Sequence, residues 1–210
     1  LLKILQFLYG KWDIVATRKS RQIITLNQVT QKTIKEVYGR DSIPVYTGID
    51  TNHFTRYVSP STLAKYRGKE IIIHSTDYTP VKGTDRMIHI FARVKKFKPR
   101  AHLLITSTIS NPQAVKLYQA QARKLGIDKS ISFLGFVDYN LLPELYSLAK
   151  VLVQCSYSER SGTTSMALPV KEALACGTAA IRSPVTTEDV EDGQTGYLVD
   201  PRNEQIMVQR

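Results

Sequence analysis

From residue 69 the apolar positions fall into short continuous runs, separated by longer stretches with helical periodicity. "EIIIHST" (70–76) is an unbroken apolar run of strand length, the pattern of a strand buried on both faces. In "GTDRMIHIFARVKKF" (83–97) the residues Met87, Ile90, Phe91 and Val94 recur at helical spacing. "AHLLITST" (101–108) predicts a second strand. "NPQAVKLYQAQARKLG" (111–126) predicts a helix, with Asn111 as cap, Pro112 at its first position and Gly126 as stop. The pattern repeats in "SISFLG" (130–135), "LLPELYSLA" (141–149) and "KVLVQCS" (150–156), then in a helix around "LPVKEALACGT" (168–178). Two short strands, "TAAIRS" (178–183) and "TGYLVD" (195–200), complete it. Strands alternating with helices at this spacing predict a Rossmann-like, doubly wound parallel sheet with helices on both faces. Ligands of such sheets sit outside the carboxyl ends of the strands, where the strand order reverses.

The first 58 residues read differently. "QIITL" (22–26) is strand-like, "NQVTQKTIKEVYG" (27–39) a helix between Asn27 and Gly39, and "SIPVYTGIDTNHF" (42–54) a strand entering a turn. So little sheet cannot bury a core alone. Residues 1–58 are therefore expected to be the remnant of a second α/β domain plus a linker, and residues 59–210 a separate domain. The chain starts in mid-pattern without Met, which suggests that sequence upstream of Leu1 is missing.

Composition adds exclusions. No apolar stretch reaches the roughly 20 residues that span a bilayer, and "LLKILQFLYGKWDIVA" is broken by Lys3, Lys11 and Asp13. Cys155 and Cys176 lack metal-ligand spacing and suit buried, reduced thiols in the cytoplasm. The net charge of +11, from 29 Lys and Arg against 18 Asp and Glu, suits an anionic partner. The densest basic run, "RVKKFKPR" (93–100), closes a helix whose dipole favours cations there. Peripheral contact with an anionic membrane surface is a further use for it. Aromatic–basic interleaving is absent, so no nucleic-acid partner is expected.

Candidate chemistry lies at strand–helix junctions. Lys82, after the first strand, reads either as a point charge for a phosphate or as an exposed lysine beside a turn glycine. The backbone N–H groups of "SGTTSMALP" (161–169), with Thr164 or Ser165 as cap, form either an anion site or a simple N-cap. Glu172, near the front of an apolar helix, reads either as an acceptor for ligand hydroxyls or as an acid favoured by the helix dipole.

Several segments carry a resemblance. "IITLNQVTQKTIKEVYG…IPVYTGIDTNHF", "TPVKGTDRMIHIFARV", "ISFLGFVDYNLLPELYSLAKVLVQCS", "LPVKEALACGTAAI" and "EDGQTGYLVDP" follow one another over most of residues 20–201. They resemble, in order and spacing, motifs of the retaining GT-B glycosyltransferases of family 4, the glycosyl transferases group 1. The resemblance implies the C-terminal, donor-binding half of a GT-B fold. It implies a nucleoside-diphosphate-sugar donor, UDP- or GDP-linked, transferred with retention to an unknown acceptor, without a separate cofactor or metal. It assigns the diphosphate to Lys82 and the backbone of Thr164, Ser165 and Met166. It gives the ribose to Glu172, and the base to backbone contacts in "LGFVD" (134–138), namely Gly135, Phe136 and Val137. The donor sugar falls to a second glutamate, Glu159.

The departures are specific. Eight positions before Glu172 stands Thr164, and the family's first glutamate falls on Glu159 only if "RSGTT" (160–164) is an insertion. The family's arginine before the lysine falls on Asp77, which leaves Arg160 and Arg182 as alternative phosphate partners. A glycine pair falls on Thr186 and Thr187. The acceptor-binding half and its catalytic histidine are not in this sequence, so the chain alone is expected to bind donor without turnover. Degenerate nucleotide- or protein-binding modules and GT-B sugar-nucleotide epimerases are the alternatives.

Overall fold

The structure, a computed structural model, describes residues 12–157, 168–184 and 189–210. It divides into two compact units, Leu1–Gly48 and Ile49–Arg210. In the smaller unit a helix over 12–19 (α1) precedes β1 (Ile24–Thr25), α2 (Gln28–Tyr38) and β2 (Ile43–Pro44), and β1 pairs with β2 in parallel. The ends of α2 are where the sequence placed them. Asn27 Oδ1 accepts from the Thr30 N–H at 2.7 Å, and Gly39 stops the helix at φ 66°.

The larger unit opens with α3 (Pro60–Lys65), then β3 (Glu70–Thr76), α4 (Thr84–Phe97), β4 (Ala101–Ser107), α5 (Pro112–Lys124) and β5 (Ile131–Phe136). It continues with α6 (Leu142–Leu148), β6 (Val151–Gln154), α7 (Leu168–Ala175), β7 (Ala179–Arg182), β8 (Gly196–Leu198) and α8 (Glu204–Gln209). The six strands form one parallel sheet in the order β5-β4-β3-β6-β7-β8, with the direction of winding reversing between β3 and β6. This is the doubly wound sheet read from the sequence. Residues 49–58, expected to belong to the linker, lie in the larger unit, because Phe54 is 2% exposed and packs in its core.

Two apolar layers cover the sheet. On one face Met87, Ile88, Ile90 and Phe91 of α4 pack against Leu103, Ile105 and Val153. On the other, Phe54, Tyr146, Val170 and Ala173 pack against Ile71, Ile73, Leu104, Leu152 and Ala180. Along this second face the side chains turn polar at the last or next-to-last residue of β3, β4, β6 and β7. Ser75 pairs with Thr106, and Gln154 pairs with Arg182. Ile73 pairs with Leu152, so two residues further on Ser75 and Gln154 again share the face. The core thus gives way to a row of polar side chains across the switch in strand order.

The first face carries a polar line of its own. His74 is fully buried, with Nδ1 2.9 Å from the Val153 carbonyl oxygen and Nε2 3.2 Å from Thr84 Oγ1. Thr84 Oγ1 lies 2.9 Å from Thr76 Oγ1, which accepts from the Tyr78 N–H at 2.9 Å. The Val153 carbonyl can only accept, so Nδ1 carries a proton, and burial disfavours a second proton on Nε2. In the neutral ring that burial favours, Nδ1–H donates to Val153, Nε2 accepts from Thr84, and Thr84 accepts from Thr76. Burial pulls the His74 pKa down from 6.5 to about 4, against the hydrogen bond to Val153 that holds it up.

Two outcomes follow for stability. Below about pH 6.5 the unfolded chain takes up a proton at His74 that the folded chain resists until about pH 4. Stability therefore falls as pH falls through that window, by about 3 kcal/mol at its lower end. His74→Gln removes this share of the fall in urea unfolding at stepped pH, leaving the share of His102, whose pKa burial also lowers to about 4. At Gly83, with φ +67°, an added Cβ would lie 2.4 Å from the Cys155 carbonyl oxygen, whereas Gly68 (φ +75°) has open space. Gly83→Ala should cost about 3 kcal/mol and Gly68→Ala only about 1, measured as lowered melting temperatures of roughly 6–12 °C and 2–4 °C.

Candidate functional site

The cleft stands at the carboxyl ends of β3, β4, β5 and β6, over the switch in strand order, with a volume of about 390 Å³. Ser75, Thr106 and Gln154 of the polar row line it. The β3–α4 connection forms its first wall. Asp77 Oδ1 accepts from the Thr79 N–H at 2.9 Å and from its hydroxyl at 2.5 Å, which sets up a tight turn over Pro80–Lys82 that closes on Gly83. The Val81 carbonyl accepts from the Tyr157 N–H at 2.9 Å and ties this turn to the segment after β6. Lys82 is thereby held at the cleft, 3.9 Å from Asp77 Oδ2.

Asp77, which stands where the family has an arginine, lines the cleft. Partial burial pushes its pKa up, but the hydrogen bonds from Thr79 and the Lys82 ammonium together hold it below the usual carboxylate range. The anion-binding candidate therefore already has an anion beside it. Arg182, offered as a substitute, is placed elsewhere by the structure. It is 2% exposed and paired with Asp189, since a guanidinium this deep in the sheet needs a carboxylate to be tolerated.

Glu172 forms the second wall, on α7 with Leu168 and Pro169. It is buried, and the Tyr146 hydroxyl donates to its Oε2 at 2.9 Å. Oε1 forms no hydrogen bond among the described residues. Burial pushes the carboxyl pKa up, more than the Tyr146 hydrogen bond and the charge of His53 hold it down. The Tyr146 phenol is raised well above its ordinary value by burial and by Glu172.

The third wall follows β5. Gly135 has φ +66°, at the point where the β4–β5 register shifts, and beyond it Phe136, Val137 and Tyr139 line the cleft. Gly135 itself does not line it and acts through the backbone turn. Tyr139 stacks on His53, with ring centroids 4.3 Å apart and planes 2° apart, and Phe54 meets both rings edge-on. Sequence reading missed Tyr146, Tyr139 and Thr106. Tyr146 sits in an ordinary amphipathic helix, and only the α6–α7 packing brings it to Glu172.

Lys82, Phe136, Val137 and Glu172, far apart in the chain, thus meet in one cleft. Glu159, Arg160, Thr164, Ser165, Met166, Thr186 and Thr187 lie outside the described residues, as does the segment before Leu168. Among the described residues no helix is long and apolar enough to cross a membrane.

The chain is 26% identical over 201 residues to a D-inositol 3-phosphate glycosyltransferase of Catenulispora acidiphila, covering 89% of this chain and 46% of the relative. It is 31% identical over 128 residues to one of Kribbella flavida, covering 57% of this chain and 29% of that protein. The chain spans about half the length of the first of these or less. Among solved structures, Anabaena HepE in complex with UDP and glucose superposes with a TM-score of 0.79 at 22% identity, over 92% of this chain and 53% of its own. The C-terminal domain of a glycosyl transferase group 1 family protein from Francisella tularensis superposes with a TM-score of 0.64 at 26% identity, over 77% of this chain and 85% of its own. The family model for glycosyl transferases group 1 matches residues 58–210, and the chain belongs to that family.

Proposed function

We propose that this chain is the donor-binding side of a glycosyltransferase that takes its sugar from a nucleoside diphosphate, UDP- or GDP-linked. The observation that carries the reading is the meeting of Lys82, Phe136, Val137 and Glu172 at the switch in strand order. Lys82 lies where a diphosphate can reach it, Oε1 of Glu172 accepts a ribose hydroxyl, and the backbone after Gly135 meets the base. HepE, which shares the fold, was solved with UDP and glucose in place.

In this reading the sugar–phosphate bond breaks with its electron pair on the nucleoside diphosphate. Lys82 offsets the growing charge, so the step needs no metal. The sugar passes with retention to an unknown acceptor, with Glu159 toward the donor sugar, on the cytoplasmic side and in peripheral contact with the membrane. The Asp77–Lys82 pair favours a second reading, a nucleotide- or protein-binding module that has lost turnover. Calorimetry with UDP, GDP and ADP tests the donor site: it should bind one of them below millimolar, and silence toward all three overturns the first reading and leaves the protein-binding module.

Lys82→Met should weaken the preferred nucleotide about 10- to 100-fold, the worth of a hydrogen bond to a charged group. Asp77→Asn keeps the Thr79 turn and removes the charge beside the diphosphate. It should tighten binding by about two- to tenfold. In Glu172→Gln the Tyr146 contact survives while the carboxylate is lost. Nucleotide affinity should drop about fivefold, and thermal stability at neutral pH should hold or rise.

A further inference from the structure

We propose that the hydroxyl of Thr106 hydrogen-bonds the nucleobase of the bound donor, a contact that rests on the nucleotide reading above. Thr106 is 2% exposed and lines the cleft, yet its Oγ1 has no hydrogen-bond partner among the described residues. Buried polar groups are nearly always paired, and one left unpaired is costly to the fold. Its neighbours have partners. Ser107 Oγ donates to the Ile109 carbonyl at 2.8 Å and accepts the Ile109 N–H at 3.2 Å, and Thr76 is tied to Thr84 and Tyr78. Other buried hydroxyls without a partner, such as those of Tyr78 and Ser156, belong to residues that do not line the cleft, so among the described lining residues the unpaired one is that of Thr106.

Topology says which part of the ligand it meets. Thr106 stands on β4, with Ser75 of β3 on one side and Gly135 of β5 on the other. Glu172 approaches from α7, beyond β6 on the other side of the strand-order switch, and Lys82 follows β3. With ribose at Glu172 and diphosphate at Lys82, the space between β4 and β5, walled by Phe136 and Val137, is left for the base. The β4–β5 register shifts between Ile105 and Thr106 because Leu134 is an extra residue on β5, a bulge that bends β5 beside Thr106, while Thr106 keeps its place opposite Ser75. A hydroxyl both donates and accepts, so it can meet a ring N–H or an exocyclic oxygen.

The test titrates UDP, GDP and ADP into the 210-residue chain and into Thr106→Val and Thr106→Ser, with thermal unfolding of each. Thr106→Val, isosteric and without the hydroxyl, should melt at the same temperature or higher. It should bind the preferred nucleotide about five- to tenfold more weakly and change the preference among the three, while Thr106→Ser stays within about twofold of the parent. Unchanged affinity in Thr106→Val overturns the proposal. So do equal losses for all three nucleotides, as a ribose or phosphate contact would give, and a melting temperature lowered by several degrees, as a structural hydroxyl would give. A parent chain that binds none of the three sinks the nucleotide reading and this contact with it. A parent that binds, with an indifferent Thr106→Val, sinks this contact alone.

Discussion

Residue 83 has no room for a β-carbon. One placed there would press on the Cys155 carbonyl at 2.4 Å, so the backbone joining β3 to α4 runs directly against the chain leaving β6. The closeness of these two crossings makes the switch in strand order a narrow cleft instead of an open groove. Because the turn over Pro80–Lys82 ends in that contact, Lys82 cannot drift from the mouth without lifting the start of α4. The bond from Tyr157 to Val81 and that from Arg86 to the Cys155 carbonyl, at 3.1 Å, hold the same junction from either side.

The cleft floor is where the sheet stops being a core. Ile73, Leu104 and Leu152 are buried apolar residues, and one step along the same face stand Ser75, Thr106 and Gln154. Apolar burial stabilises the strands up to that line, and beyond it the structure exposes hydrogen-bonding groups to whatever enters. Glu172 belongs to this transition. It sits on a helix whose other buried residues, Val170 and Ala173, are apolar, and its burial is tolerated because Tyr146 supplies a donor.

Much of this was legible in the chain. The segments 70–76 and 101–108 became β3 and β4 within a residue, because the apolar stretches Ile71–Ile73 and Leu103–Ile105 mark strands covered on both faces. Asn111 with Pro112, and Asn27 with Gly39, marked helix ends through hydrogen bonds local enough to read. α3 was missed although Ser59 caps it and Pro60 starts it, since six residues carry too little periodicity to stand out. In the candidate site, Lys82 and Glu172 carried sequence signals, but their partners did not. The Asp77–Lys82 pair and the Tyr146–Glu172 bond depend on how a loop turns and how two helices cross. The hydroxyl of Thr106 could be known to lack a partner only once its surroundings were built.

The buried line from Tyr78 to Val153 does more than satisfy its members. Three consecutive isoleucines, 71–73, carry no information about how far β3 should slide past its neighbours, since any of them fills an apolar slot equally well. His74 breaks that degeneracy. Sliding the strand by one residue would present Ile73 or Ser75 to the Val153 carbonyl and to Thr84, and neither offers a donor and an acceptor at opposite ends of a ring. One imidazole thus sets the alignment of the central strand, and with it the height at which Ser75, Asp77 and Lys82 emerge above the sheet.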